Sequence, residues 1–444
     1  MILENSKIEI HKNLIRQIGS VWGEGLTLGR HSADDLANRF GTPLYAFNAE
    51  SARTNLVRVS KSFGDNVGIL YALKANPNVS IGRIFRSLNV GAEVASAGEI
   101  LIALKAGFSR SSIRFSGPGK RNEDLIFALE NRIGAINIES EREYEKICEL
   151  ARFSDYKPVL TLRVNPKGGS SGSRMSMAGK SKKFGIDQDR ILELARRIST
   201  ENVCELEGLH IYAGTQCFDH FAWLKNARDL LGLANELERF VPIRTLNFGG
   251  GFGVALFDGD PEFDLDSAGK GLQAMIAEDG KPERKYFIEL GRYLVANSGV
   301  YLSRILYKKK SFDRNHLILD GGMHHHSAAA GIGAILRRPF PIVSAKACSS
   351  LVSEEVTLGG VLCTPADEFA SGLSLPECEE GDVIGILGSG AYGLTFSNIL
   401  FLSHPSPAEV LVDGEDARLI RERGKIEDAL SGQVFSVLGQ EGIS

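Results

Sequence analysis

The chain lacks any stretch approaching the roughly 20 apolar residues a helix needs to span a bilayer. Its start carries Glu4, Lys7, Glu9 and His11 rather than the apolar run of a secretory signal. An excess of one charge is missing too. Against 51 Lys and Arg stand 55 Asp and Glu, a net charge of -4, so no basic face points to nucleic acid, and the Lys308-Lys309-Lys310 triplet reads as a solvated strand end. Cysteine is scarce: six in 444 residues (148, 204, 217, 348, 363 and 378), with no CxxC pairing and no metal-finger spacing. That usage fits a reducing compartment, so a cytoplasmic location is expected. The length exceeds one ordinary core and suits two domains.

What is present is a strand and helix rhythm. Eight short apolar or β-branched runs, at 67–74, 91–95, 113–116, 135–138, 159–164, 206–212, 244–248 and 285–289, alternate with amphipathic segments such as Ala97 to Ala106 and Ile191 to Ile198. Eight strands alternating with helices over about 220 residues meet the requirement of a (β/α)8 barrel, whose functional groups lie at the carboxyl ends of strands. Lys74, Glu93, Ser116, Arg163, Tyr212, Gly249 and Glu289 all fall at or just past such ends. After about residue 293 the runs 300–307, 316–319, 355–363, 382–387 and 408–412 are short and strand-like, and helical periodicity returns only at Glu415 to Arg423. The expected division is a barrel over 41–292 and a mainly β domain over 293–444. The polar segment Gly168 to Lys183 is too long for a tight turn and reads as a mobile loop at the barrel mouth.

Four segments carry chemistry. Tyr71-Ala72-Leu73-Lys74-Ala75-Asn76-Pro77-Asn78 places a lysine at the end of a strand-like run, and a primary amine is the side-chain group that forms a Schiff base with an aldehyde. Gly249-Gly250-Gly251-Phe252-Gly253 offers closely approached backbone N–H groups where a following helix would begin, a phosphate cradle by geometry and helix dipole. Glu289-Leu290-Gly291-Arg292 follows another apolar run, and Cys363-Thr364-Pro365-Ala366-Asp367 lies far downstream. Together they resemble the fold-type III pyridoxal-phosphate decarboxylases, the family of diaminopimelate and ornithine decarboxylases, over nearly the whole chain.

The resemblance implies an α/β fold, an alanine-racemase-like barrel with a C-terminal mainly β domain that residues 1–40 join. It also implies pyridoxal 5'-phosphate as cofactor, and a homodimer with shared active sites. Carried over residue by residue, Lys74 and Cys363 are catalytic, Cys363 entering the neighbouring subunit's site as a proton donor. Glu289 lies near the pyridine nitrogen; Gly249, Gly250, Gly251, Gly291, Arg292, Thr215 and Tyr392 serve the cofactor, the last from a Gly390-Ala391-Tyr392 segment. Leu290 stands where the family has proline. In Gly208-Leu209-His210-Ile211-Tyr212-Ala213-Gly214-Thr215-Gln216, Tyr212 replaces the histidine that stacks on the ring, and His210 is either its substitute or a structural residue. Arg163, Thr364 and Asp367 are the expected substrate-binding residues. No metal is expected from His324-His325-His326, because adjacent strand residues point to opposite faces.

Position 364 bears on the substrate. The family's acidic residue after the cysteine faces a distal amine, and threonine cannot neutralise an ammonium; Asp320 and Glu354 are the candidate replacements. With Phe115-Ser116-Gly117-Pro118-Gly119-Lys120 and Asp320-Gly321-Gly322-Met323-His324-His325, the chain looks most like the branch acting in secondary metabolism and exopolysaccharide-linked clusters. Some members of that branch are similar to decarboxylases of glutamate held on an acyl-carrier protein. The expected reaction is α-decarboxylation of an amino acid or amino-acid derivative, free or carrier-bound. The alternatives are a meso-diaminopimelate decarboxylase making L-lysine, a racemase, and a non-catalytic cofactor-binding protein; Cys363 and the full β domain argue against the last two.

Overall fold

The computed structural model describes residues 2–21, 24–152, 156–167, 173–176, 182–333, 338–346 and 353–434. Eight parallel strands run in chain order: Val67–Ala72, Gly91–Val94, Ile113–Phe115, Ala135–Ile138, Val159–Asn165, Glu205–Ile211, Thr245–Gly250 and Lys285–Leu290. The last pairs with the first, Glu289 opposite Leu70, and closes the sheet into a barrel. These are the eight expected runs. They read as continuous apolar stretches because packed side chains fill the barrel and helices cover it, so neither face meets water. Gly91–Val94, Ala135–Ile138 and Thr245–Gly250 are buried at every residue. Among the buried polar residues of these strands, Glu93, His210 and Glu289 stand toward the carboxyl ends, and Asn247 lies midway along Thr245–Gly250.

Local signals fix the covering helices. Ser96 Oγ accepts from the Glu99 N–H at 3.2 Å to start Ala97–Ala106, and Gly107, with φ of 92°, ends it in the left-handed region. Asn78 caps Val79–Ser87 through the Ser80 N–H at 2.9 Å, and its Nδ2 donates to Glu409 Oε2 at 2.7 Å, joining the barrel's first loop to the second domain.

The second domain is built on Gly299–Ser311, hydrogen-bonded antiparallel to Leu44–Asn48, Val383–Leu387 and Arg314–Leu319. The sheet extends through Ser353–Gly359 and Glu368–Pro376 on one side and Ala408–Asp413 and Asp416–Arg421 on the other. Leu44–Asn48 therefore lies in the second sheet, and the chain passes into the barrel later than residue 41. The helix Ala33–Phe40 packs on Gly299–Ser311 and Val383–Leu387.

Glu415 to Arg423, expected to be helical, instead holds the strand Asp416–Arg421. Gly414, with φ of 63°, turns the chain back so that Val412 pairs with Ala417; the hairpin satisfies the backbone where three scattered apolar residues give a helix little to bury. Of the segment Gly168 to Lys183, residues 168–172 and 177–181 lie outside the described residues. Among the described residues no helix is long and apolar enough to cross a membrane.

Candidate active site

Lys74 stands just past the first barrel strand, on the single turn Leu73–Ala75. Its Nζ donates to Glu93 Oε2 at 2.9 Å, and the Tyr212 ring lies 5.6 Å away. Burial, the largest single influence, would lower the amine's pKa, but Glu93, Tyr212, Tyr392 and Glu289 together outweigh it and the net shift is upward. Lys74 is thus a cation at neutral pH, with Glu93 placed to take its proton.

Glu289 ends the last barrel strand, 3% exposed. Asn247 Nδ2 donates to its Oε1 at 2.7 Å, and His210 Nε2 lies 3.3 Å from its Oε2. Burial pushes this carboxyl up, yet His210, Lys74 and the Asn247 bond together hold it well below the usual carboxylate range, so it stays ionised. His210 and Tyr212, two residues apart along the chain, share a face. His210 lies against Glu289, while Tyr212 walls the cavity, its hydroxyl pushed up to about 12 chiefly by burial.

That cavity, about 360 Å³ of non-atom space including open solvent, is lined among others by Lys74, Tyr212, Thr215, Glu289, Arg292 and Tyr392. Tyr392 arrives from the second domain: its N–H donates to Ala75 O at 2.7 Å, and Asn76 Nδ2 donates to Gly390 O at 3.2 Å, so the segment is fastened to the turn that carries Lys74. The Arg292 guanidinium lies 4.5 Å from the Tyr392 ring centroid.

Pyridoxal phosphate, implied by the resemblance, presents an aldehyde, a ring nitrogen and a phosphate, and the residues fit each. Lys74 offers the amine and Glu289 a buried, ionised carboxylate. Arg292 Nε is buried without a hydrogen-bond partner, an arrangement that costs free energy unless an anion accepts from it. The glycines let the chain pack closely on its neighbours beside the cavity: a Cβ on Gly249 would meet Ile211 O at 2.3 Å, and one on Gly251, which lines the cavity, would meet Gly214 O at 2.0 Å. The expected helix does not follow them directly, since the next one is Leu265–Asp279; close backbone approach remains and the helix dipole drops out.

Other expected residues stand outside that cavity. Arg163 is buried and donates to Glu139 Oε1 at 2.8 Å. Cys363 is exposed in the turns before Glu368–Pro376, and Thr364 Oγ1 accepts from the Ala366 N–H at 3.3 Å. Asp367, expected to face substrate, accepts instead from the N–H groups of Met323 at 2.6 Å and Leu362 at 2.7 Å, which makes it an organiser of its own loop. The three histidines lie in turns rather than a strand, so the alternation argument does not apply to them. His325 Nε2 is 3.0 Å from Pro405 O and His326 Nε2 is 3.0 Å from Ser389 Oγ. Sequence reasoning noted Glu93 only as a strand-end residue and passed over Asn247; the available signal was a polar residue inside an otherwise buried strand.

Residues 50–296 match the pyridoxal binding domain of the pyridoxal-dependent decarboxylases. The L-glutamyl-[BtrI acyl-carrier protein] decarboxylase of Niallia circulans is 33% identical over 407 residues, covering 90% of this chain and 95% of that protein. The diaminopimelate decarboxylase of Methanothermobacter thermautotrophicus is 30% identical over 421 residues, covering 92% and 95%. The crystal structure of the M. jannaschii diaminopimelate decarboxylase superposes with a TM-score of 0.84 at 27% identity, covering 93% of this chain and 96% of that one.

Proposed function

This chain belongs to the pyridoxal-dependent decarboxylases, and from that premise we propose that it releases the α-carboxyl group, as carbon dioxide, from an amino acid whose distal end is uncharged, in its favoured form tethered to a carrier protein. Bound pyridoxal phosphate supplies the electron sink for the pair left behind by carbon dioxide. Lys74 would hold the aldehyde end of the cofactor through Nζ, with Glu93, 2.9 Å away, placed to take up the amine's proton. Glu289 would hold the ring nitrogen protonated. Arg292, Tyr392, Thr215 and the Gly249 to Gly251 backbone would hold the phosphate, and Tyr212 would serve the ring. Cys363, exposed in its own chain, reaches the site of a second copy and gives its Sγ proton to the carbon that lost carbon dioxide. The working unit is then a cytoplasmic homodimer.

The observation that carries the substrate assignment is that the candidate replacement acids are committed to other groups. With Thr364 in place of the family's acid, Asp320, Glu354 and Asp367 are the candidates to meet a distal ammonium. Asp320 accepts from Thr42 Oγ1, from Ser303 Oγ at 2.6 Å and from the Arg304 N–H at 2.9 Å. Glu354 holds Lys308 at 3.0 Å and Asn315 at 3.2 Å, and Asp367 is taken by backbone. Burying an ammonium without a carboxylate costs several kcal/mol. Past Tyr392 in the chain, moreover, Phe396, Ile399, Leu400, Phe401 and Leu402 are all exposed, and the Phe396 ring lies 6.3 Å from that of Tyr392; an exposed apolar patch beside a cavity residue favours a neutral arm.

The second reading, meso-diaminopimelate decarboxylation to L-lysine, has in its favour the diaminopimelate decarboxylases matched over almost their full length. Carbon dioxide release from carrier-bound glutamate, free glutamate, ornithine, lysine and meso-diaminopimelate separates the two. Release from the carrier-bound substrate with little from the diamines is expected; high kcat/KM on meso-diaminopimelate overturns the assignment.

A further inference from the structure

Asn247 joins the two ends of the cofactor site through one side chain. The barrel strand Thr245–Gly250 loses register with Lys285–Leu290 between Asn247 and Gly250, and Gly249 there has φ of 63°. A bulge of this kind turns an N–H out of the ladder. Asn247 Oδ1 accepts that N–H of Gly249 at 3.0 Å, while its Nδ2 donates to Glu289 Oε1 at 2.7 Å. Asn247 is 1% exposed, and neither bond survives rotation of the amide by half a turn, because a carbonyl would then face a carboxylate and an NH2 would face an N–H. We infer that Asn247 is a positioning residue that fixes the Glu289 carboxylate relative to the Gly249 cradle, so that the ring nitrogen and the phosphate are gripped in one register.

The inference rests on the cofactor roles proposed above, and substitutions at Asn247 test it separately from them. Asn247→Asp keeps the shape and still accepts from Gly249, but sets a carboxylate against Glu289 Oε1, and the lost bond returns only when the pair shares a proton. Asn247→Ala loses both bonds at every pH. The titratable groups facing Glu289 from neighbouring elements, His210, Lys74 and Tyr212, are common to all the proteins compared.

The readout is the affinity of the apoprotein for pyridoxal phosphate, by absorbance and fluorescence titration between pH 5.5 and 8.5, as a ratio to wild type at each pH, with the fold followed by circular dichroism. We expect affinity about 10- to 100-fold weaker for both variants at pH 8, the loss of one hydrogen bond to a charged group. For Asn247→Asp the deficit should shrink toward acid pH, whereas for Asn247→Ala it should stay constant. Pairing Asn247→Asp with Glu289→Gln reverses donor and acceptor, so at pH 8 the double variant should bind more tightly than Asn247→Asp alone, up to the affinity of Glu289→Gln alone, without recovering turnover. Wild-type affinity in Asn247→Ala, or a deficit in Asn247→Asp that ignores both pH and the Glu289→Gln partner, overturns the inference. A wild-type chain that takes up no pyridoxal phosphate overturns the function itself.

Discussion

The carboxyl end of the barrel and the 360–367 loop of the second domain differ in how completely one chain satisfies their polar groups. At the barrel end Lys74 is met by Glu93 at 2.9 Å and Glu289 by Asn247 at 2.7 Å, with His210 Nε2 3.3 Å away; Arg292 Nε and both ring nitrogens of His210 are left without a hydrogen bond. In the loop, Asp367 is committed to backbone N–H groups and Cys363 faces solvent. Groups that must grip a fixed ligand are over-determined by their own strands, and rigidity follows. On the reading proposed above, the exposed Cys363 is left for a second copy to cover.

The largest effect belongs on the barrel side. Lys74→Ala should lower carbon dioxide release by more than about a thousandfold while the chain stays folded. Borohydride reduction and peptide mapping should tag Lys74 in the wild type; a tag on another lysine breaks the comparison at its strongest point.

On the loop side, Cys363→Ala should lower kcat by about a hundredfold or more with cofactor affinity unchanged. Mixed with Lys74→Ala and allowed to exchange, it should regain about a quarter of wild-type activity, since half the dimers are mixed and each contains one intact site. No recovery despite proven exchange places both groups in one chain.

Charge state sharpens the contrast further, because the barrel end keeps Glu289 ionised while the second domain keeps His324, His325 and His326 neutral. Burial holds His324 at about 4 and His325 and His326 at about 3. Their folded pKa values are depressed, so as pH falls below about 6.5 the unfolded chain takes up protons that the folded chain refuses, and stability drops. Each histidine should cost about 1 kcal/mol between pH 6.5 and 5.5. Urea unfolding across that range should show a shallower loss in His326→Gln, and an unchanged slope contradicts the account.

The smallest expected effect is Thr364→Glu, which should raise turnover of ornithine or meso-diaminopimelate by about tenfold. No gain on either diamine indicates that position 364 does not face the distal end of the substrate.

Most of the barrel was legible in the sequence because each strand is buried on both faces and therefore reads as an unbroken apolar run. Lys74, Glu289 and the glycines were legible for a related reason: a charged residue or a glycine cluster ending such a run is conspicuous. The second domain was less so. Glu368–Pro376 contains Ser-Gly-Leu-Ser and is a strand by virtue of pairing with Ser353–Gly359, and Asp416–Arg421 is a strand because Gly414 turns it onto its neighbour. Propensity is weak there, and cross-strand partners distant in sequence decide.

The sequence by itself determined the eight-strand rhythm, the β-rich second half and the lysine and carboxylate that end strands, since periodicity and local chemistry are short-range properties. Only the tertiary structure decided what those groups meet. Pairing of the first two barrel strands sets Glu93 against Lys74, a bulge turns Gly249 toward Asn247, and loop packing commits Asp320 and Asp367 elsewhere. Each contact depends on the register of segments far apart in the chain, and register exists once the sheets have formed.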